Sequence, residues 1–243
     1  MKEGPFRANF TRRRALGFIA VTAGGGALVP AQVFAQQASS QSGALLIPHA
    51  GVCSITPEVT EGPYYFDPEL ERSDITEGRK GAGLTVRLQV VDEACNPIEG
   101  ARVDLWHCDA QGHYSGYPGQ GDKRDVDTTG EKFLRGWQRT DKNGIAAFQT
   151  IYPGWYRGRT THIHFKAFPS EGSVMTGQMF FPDDVSERIF STIAPYNQRS
   201  GERDTMNADD GILRRAGTGV QSAVSEKASA YEAVMIVAVK GAG

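Results

Sequence analysis

The chain has 243 residues, 40% of them hydrophobic and 22% charged, and 26 basic against 28 acidic side chains leave a formal net charge of -2. These proportions are those of a soluble globular protein, and the near balance of charge argues against nucleic acid as a partner. The first part of the chain differs in kind from the rest. Arg12, Arg13 and Arg14 precede an uncharged run from Ala15 to Val29, and a small-residue site follows at Val33-Phe34-Ala35. That order is the order of a secretory signal peptide, with cleavage expected near Ala35. The uncharged run holds four glycines and is shorter than the roughly 20 residues of a membrane span, so no span is expected to remain after cleavage. The arginine pair fits the twin-arginine route, which carries proteins already folded, and predicts a periplasmic or secreted protein.

Residues 36–52 are rich in Gln, Ser and Ala before Ala44-Leu45-Leu46-Ile47-Pro48, and are expected to form a flexible lead-in. One domain, residues 53–243, then follows, about 190 residues long and large enough for a sizeable core. Cys53, Cys95 and Cys108 allow one disulfide and one free thiol in an oxidising compartment, in any of three pairings. Their spacing matches no zinc motif, so they are read as structural.

Leu84, Val86, Leu88 and Val90 alternate along one strand, a turn runs from Asn96-Pro97 to Gly100, and Val103 and Leu105 resume the pattern before Trp106. This predicts an antiparallel hairpin. Residues 115–133 are polar, rich in glycine and without either period, so they form a long loop, a feature that compact domains tend to keep for function. A second hairpin is expected around the turn Asp141-Lys142-Asn143-Gly144, with Ile145–Ile151 as its outgoing strand. In residues 162–168, Ile163, Phe165 and Ala167 alternate with His162, His164 and Lys166, which predicts a strand with both histidines on one face. Two more strands fall in residues 174–181 and 231–241, and residues 183–192 predict a short surface helix capped by Asp183 or Asp184. The fold class is therefore all-β: an antiparallel β-sandwich with long active-site loops and one short surface helix.

Two imidazoles on one strand face can converge on one metal ion, although an H-x-H pair serves equally well as two polar residues on a solvated face. Two tyrosines are near enough in sequence to join them. Tyr156 lies six residues before His162, and Tyr114 stands where the strand ending at Trp106 gives way to the long loop. A tyrosine in a loop is by itself an ordinary amphipathic side chain.

Taken together, Thr60-Glu61-Gly62-Pro63-Tyr64-Tyr65, Trp106 with Tyr114 eight residues on, Pro153-Gly154-Trp155-Tyr156 and Gly158-Arg159 before His162-Ile163-His164 resemble the intradiol ring-cleavage dioxygenases, from about Cys53 to Phe181. The resemblance implies Fe(III) held by Tyr114, Tyr156, His162 and His164, with a small aromatic diol and O2 as substrates. It implies that Tyr156 takes a proton from the substrate, that Arg159 stabilises negative charge growing on the ring, and that Gln178 on the following strand belongs to the same site. Phenolate is a hard anionic donor, so two tyrosinates with two neutral imidazoles favour the ferric state.

The sequence departs from the larger catechol and protocatechuate enzymes in two places. The stretch between Tyr156 and His162 is shorter and lacks their tryptophan-proline element, and fewer than thirty residues separate the signal from Thr60, so dimerisation through a helical amino-terminal domain is not expected. Two other readings use fewer residues. A non-catalytic transthyretin-like module accounts for residues 84–106 alone. A zinc hydrolase with His107 or His113 as third ligand leaves Tyr114, Tyr156 and Arg159 without a role.

Overall fold

The protein is described here by a computed structural model of residues 53–228 and 230–240. The expected signal and lead-in, residues 1–52, lie outside the described residues. The elements are β1 (Gly83–Val91), β2 (Arg102–Trp106), β3 (Arg135–Arg139), β4 (Ile145–Ile151), β5 (His162–Phe168), β6 (Met175–Phe180), α1 (Asp183–Thr192), α2 (Gly211–Ala216), β7 (Ala223–Lys227) and β8 (Ala230–Ala238). Eight strands form two four-stranded sheets, ordered β4-β1-β8-β7 and β3-β2-β5-β6. Every pair is antiparallel except β1 with β8, which run parallel along Gly83–Val91 and Ala230–Ala238. The first sheet is thus mixed, because β8, which lies beside β1, comes from the far end of the chain.

Neither expected hairpin forms. β1 and β2 belong to opposite sheets, as do β3 and β4. Leu84, Val86, Leu88 and Val90 face Val103 and Leu105 across the core, all of them buried, rather than lying beside them in one sheet. Alternation specifies which face is apolar, and it is satisfied as well by a strand across the sandwich as by a strand alongside. The turns between the strands are where the sequence puts them. Gly144 adopts φ 71°, its amide donates to the Asp141 carbonyl at 2.8 Å, and a Cβ there would stand 2.4 Å from the Val90 carbonyl oxygen, so glycine is required.

The outer face of the β3-β2-β5-β6 sheet is covered as well as its inner face. Asp104 and Trp106 of β2 and His162 and His164 of β5 are buried there, beneath an arm of residues 60–72 that brings the Tyr65 hydroxyl to Asp104 at 2.9 Å. One row of paired residues crosses this face from strand to strand: Arg135, Trp106, His164 and Gln178. Cys53 and Cys95 form a disulfide that ties the segment before this arm to the turn after β1, and Cys108 is free and buried.

Helix α1 spans the expected residues, but neither aspartate caps it. Its N-cap is Pro182, with no side-chain cap bond, and Asp183 and Asp184 stand in the first turn. The Asp183 carboxylate instead takes the Arg203 guanidinium at 2.5 Å and the Asn207 amide at 3.0 Å. A charged partner from elsewhere in the fold holds this carboxylate more strongly than a local cap bond does. Val185, Ser186, Ile189 and Phe190 are buried, so the helix rests one side on the body. No described helix is long and apolar enough to cross a membrane.

Candidate active site

β5 brings the two histidines together because its register sets their shared face outward while Ile163 and Phe165 enter the core. The His162 and His164 Nε2 atoms are 3.1 Å apart. The Tyr156 hydroxyl lies 3.0 Å and the Tyr114 hydroxyl 3.5 Å from the same His162 nitrogen. Four donor atoms therefore converge, two from one strand and two from the loops at its end. His162 Nδ1 donates to the Thr160 carbonyl at 2.7 Å, which leaves the Nε2 lone pair facing the cluster.

Burial pushes both imidazoles well below the usual histidine range, helped for His162 by the Arg159 charge and for His164 by His162. Both are neutral and present lone pairs. Burial also raises Tyr114 well above the ordinary phenol range and Tyr156 to about 12, with the Arg159 charge pulling against burial at Tyr156. A trivalent cation among these atoms would supply the charge that two phenolates need. Two neutral imidazoles and two ionisable phenols around one point are a donor set that fits ferric iron.

Arg159 is held on two sides. Its Nε donates to Asp210 Oδ2 at 2.8 Å and its Nη2 to Gln178 Oε1 at 2.5 Å, while Nη1 stands 3.4 Å from His162 Nε2. Gln178 in turn donates to the Thr60 carbonyl at 2.8 Å. Burial raises the Asp210 carboxyl, but bonds from the Leu213 amide and Arg159 outweigh it and hold the group below the ordinary carboxylate range.

Aromatic rings wall the cluster. Trp106 stacks on His164 with centroids 5.1 Å apart, and Tyr64 stacks on Tyr114 at 4.6 Å. Gly62 has φ 72° and a Cβ there would meet His164 Cε1 at 3.2 Å, so its lack of a side chain lets the arm close over the imidazole. A cleft of about 280 Å3 opens beside the tyrosines, lined by Tyr64, Tyr114, Tyr156, Gln120, Arg157 and Arg199. Gln120 and the glycines beside it belong to the long loop of residues 115–133. The cleft admits a single aromatic ring more readily than a drug-sized ligand.

His107 and His113 do not join the pair. Both nitrogens of His107 are engaged, at 2.8 Å with the Cys108 carbonyl and 2.7 Å with Thr150 Oγ1, and His113 lies beside Asp109. Among the described residues no group of three or more His, Cys, Asp or Glu could hold a metal ion, so a zinc site built on His162 and His164 lacks its third ligand. Asp210, Gly62 and Tyr64 received no role from sequence. Asp210 carries a readable signal as the residue before the α2 stretch Gly-Ile-Leu, but that signal announces a helix cap and says nothing of Arg159.

The sequence model of the Dioxygenase family matches residues 60–199. In fold and sequence the chain is similar to an intradiol ring-cleavage dioxygenase from Tetranychus urticae, at 37% identity and a TM-score of 0.69, over 77% of this chain and 95% of that one. It is 32% identical over 154 residues to a hydroxyquinol 1,2-dioxygenase of Corynebacterium glutamicum, covering 54% of this chain and 48% of the relative. It is 31% identical over 128 residues to a protocatechuate 3,4-dioxygenase beta chain of Burkholderia cepacia, covering 49% of this chain and 53% of the relative. The matched stretch thus spans about half the length of each of these last two relatives.

Proposed function

The chain belongs to the intradiol ring-cleavage dioxygenases, and on that premise we propose that it opens a catechol-type ring between its two hydroxyl-bearing carbons. Both atoms of O2 enter the product, a muconate-type dicarboxylate. The observation that carries this reading is the convergence of the Tyr114, Tyr156 and His164 donor atoms within 3.5 Å of His162 Nε2. Ferric iron held by these four residues would supply the Lewis acidity that binds the diol and the electron-accepting centre through which it reacts with dioxygen.

The remaining work falls to the side chains. Tyr156 borders the cleft and is less buried than Tyr114, which Tyr64 clamps, so Tyr156 is the tyrosine free to swing and accept a substrate hydroxyl proton at its oxygen. Arg159, with its guanidinium fixed by Asp210 and Gln178, stabilises negative charge as it grows on the substrate ring. Trp106, Tyr64 and the arm at Gly62 keep bulk water from the histidines.

The purified protein is expected to contain one ferric ion per chain and to be coloured by tyrosinate charge transfer. Stripping the metal with a chelator should remove colour and activity together, and ferric salts should restore both. Labelled dioxygen should place two labelled atoms in the product. Stoichiometric zinc in a colourless, active preparation would rule out this reading.

We also propose that the protein is exported by the twin-arginine route and acts in the periplasm or outside the cell. The Arg12-Arg13-Arg14 run before an uncharged stretch supports this, and so does the Cys53–Cys95 disulfide, since such bonds persist in oxidising compartments. Replacing Arg12 and Arg13 together by Lys is expected to leave folded, active protein in the cytoplasm. A normal periplasmic yield from this variant, measured by cell fractionation, would show that another route carries it.

A further inference from the structure

We infer that Asp210 is a positioning residue for the ring-cleavage site: it sets the Arg159 guanidinium directly and the His162 ring at one remove. Its side chain is fully buried. The two carboxylate oxygens divide their partners. Oδ1 accepts from the Ile212 and Leu213 amides at 2.8 and 3.0 Å and so caps α2. Oδ2 turns the other way and accepts from Arg159 Nε at 2.8 Å and the Thr160 amide at 3.0 Å. The Thr160 carbonyl is the acceptor for His162 Nδ1–H, at 2.7 Å.

This arrangement answers a need of this chain. Only five residues separate Tyr156 from His162, and of them only Arg157 and Arg159 form ion pairs. A long arginine side chain on so short a connection must be fixed from elsewhere, and the fixing group arrives from 51 residues downstream. Thr160 has anchors of its own, its hydroxyl meeting Asn207 Oδ1 at 2.6 Å and Arg203 Nη2 at 2.5 Å. Losing Asp210 Oδ2 therefore acts first on Arg159 and only secondarily on the Thr160 carbonyl. The charge-assisted bond to the buried carboxylate and the bond to Gln178 together fix the plane of the guanidinium, which either bond alone does not.

The competing explanation is that Asp210 does no more than cap α2, and the division of oxygens makes the two separable. Ser and Asn cap helices about as well as Asp. In Asp210→Ser the hydroxyl can cap but is too short to reach Arg159, and in Asp210→Asn the second oxygen becomes an amide that donates toward the guanidinium. The first readout needs neither metal nor substrate. In a nitrogen-proton correlation spectrum of metal-free protein, the Arg159 Nε–H signal, assigned by its loss in Arg159→Lys, should exchange slowly in the unsubstituted protein and lose that protection in both Asp210 variants. The second readout is kinetic and rests on the ring-cleavage reading. Both variants should lose about 10- to 100-fold in kcat with KM little changed, and Asp210→Ser should cause a much smaller further loss in an Arg159→Ala background. Retained Nε–H protection in both variants would overturn the proposal, as would an equal loss with and without Arg159. Should the unsubstituted protein cleave no catechol, the spectrum still tests the placement of Arg159, so the two failures are distinguishable.

Discussion

Tyr156→Phe is expected to lower kcat by about a hundredfold to ten-thousandfold, the range for removal of a general base. Phenylalanine keeps the ring and its edge-on contact with Tyr114, whose centroid lies 5.7 Å away, so the fold and the shape of the cleft should be preserved. What is lost is the oxygen 3.0 Å from His162 Nε2. In the unsubstituted protein burial raises that hydroxyl to about 12 although Arg159 opposes the rise, so the group is a neutral phenol unless a bound ferric ion supplies the charge, and its phenolate would be basic enough to take a proton from a catechol. The variant retains Tyr114, His162 and His164 and should take up iron. It should fail at the next stage, when the diol must give up a hydroxyl proton and no tyrosine oxygen is there to receive it. Anaerobic titration with catechol followed by visible absorption reports binding, and the single-turnover rate on admitting oxygen reports chemistry. Normal values for both would show that Tyr156 is not the proton acceptor.

Arg159→Ala is expected to lower kcat by about a hundredfold to a thousandfold, the loss typical of one preorganised donor to a developing oxyanion, while colour and catechol affinity stay near those of the unsubstituted protein. The guanidinium is already fixed by Asp210 and Gln178, so it meets the growing charge without reorganising. Removing it also leaves the buried Asp210 Oδ2 with only the Thr160 amide, and thermal unfolding must be followed beside the kinetics. Arg159→Lys serves as the partner variant, because it keeps the positive charge but cannot hold Asp210 and Gln178 at once. If Arg159→Ala turns over at the unsubstituted rate in single-turnover experiments, the role assigned to the charge is wrong even though the family stands.

The strand bearing His162 and His164 was legible because a period of two is a local property: apolar residues at 163, 165 and 167 force the residues between them onto the other face. Tyr114 and Tyr156 were legible only as parts of a spaced motif, since nothing in a lone tyrosine distinguishes a ligand from a surface side chain. The two turns were readable for the same local reason as the strand, through Gly100 and Gly144, which take positive φ, and Pro97, whose ring fixes φ. The partners of the strands they join were not. Val103 packs as well opposite Val86 as beside it, and only the assembly of both sheets, with β8 arriving parallel to β1, decides between them. Asp183 shows the same limit at a helix end, where Arg203 rather than the backbone takes the carboxylate.

The sequence by itself determined the alternating strands, the turn positions, the shared face of the two histidines and, through spaced motifs, the family. Those depend on residues within a few positions of each other or on fixed intervals along the chain. The tertiary structure alone decided which sheet each strand enters, that Cys53 rather than Cys108 pairs with Cys95, and that Asp210 reaches Arg159. Each of those joins groups far apart in sequence, and no local preference of either partner specifies the other until the core has closed and brought them within reach.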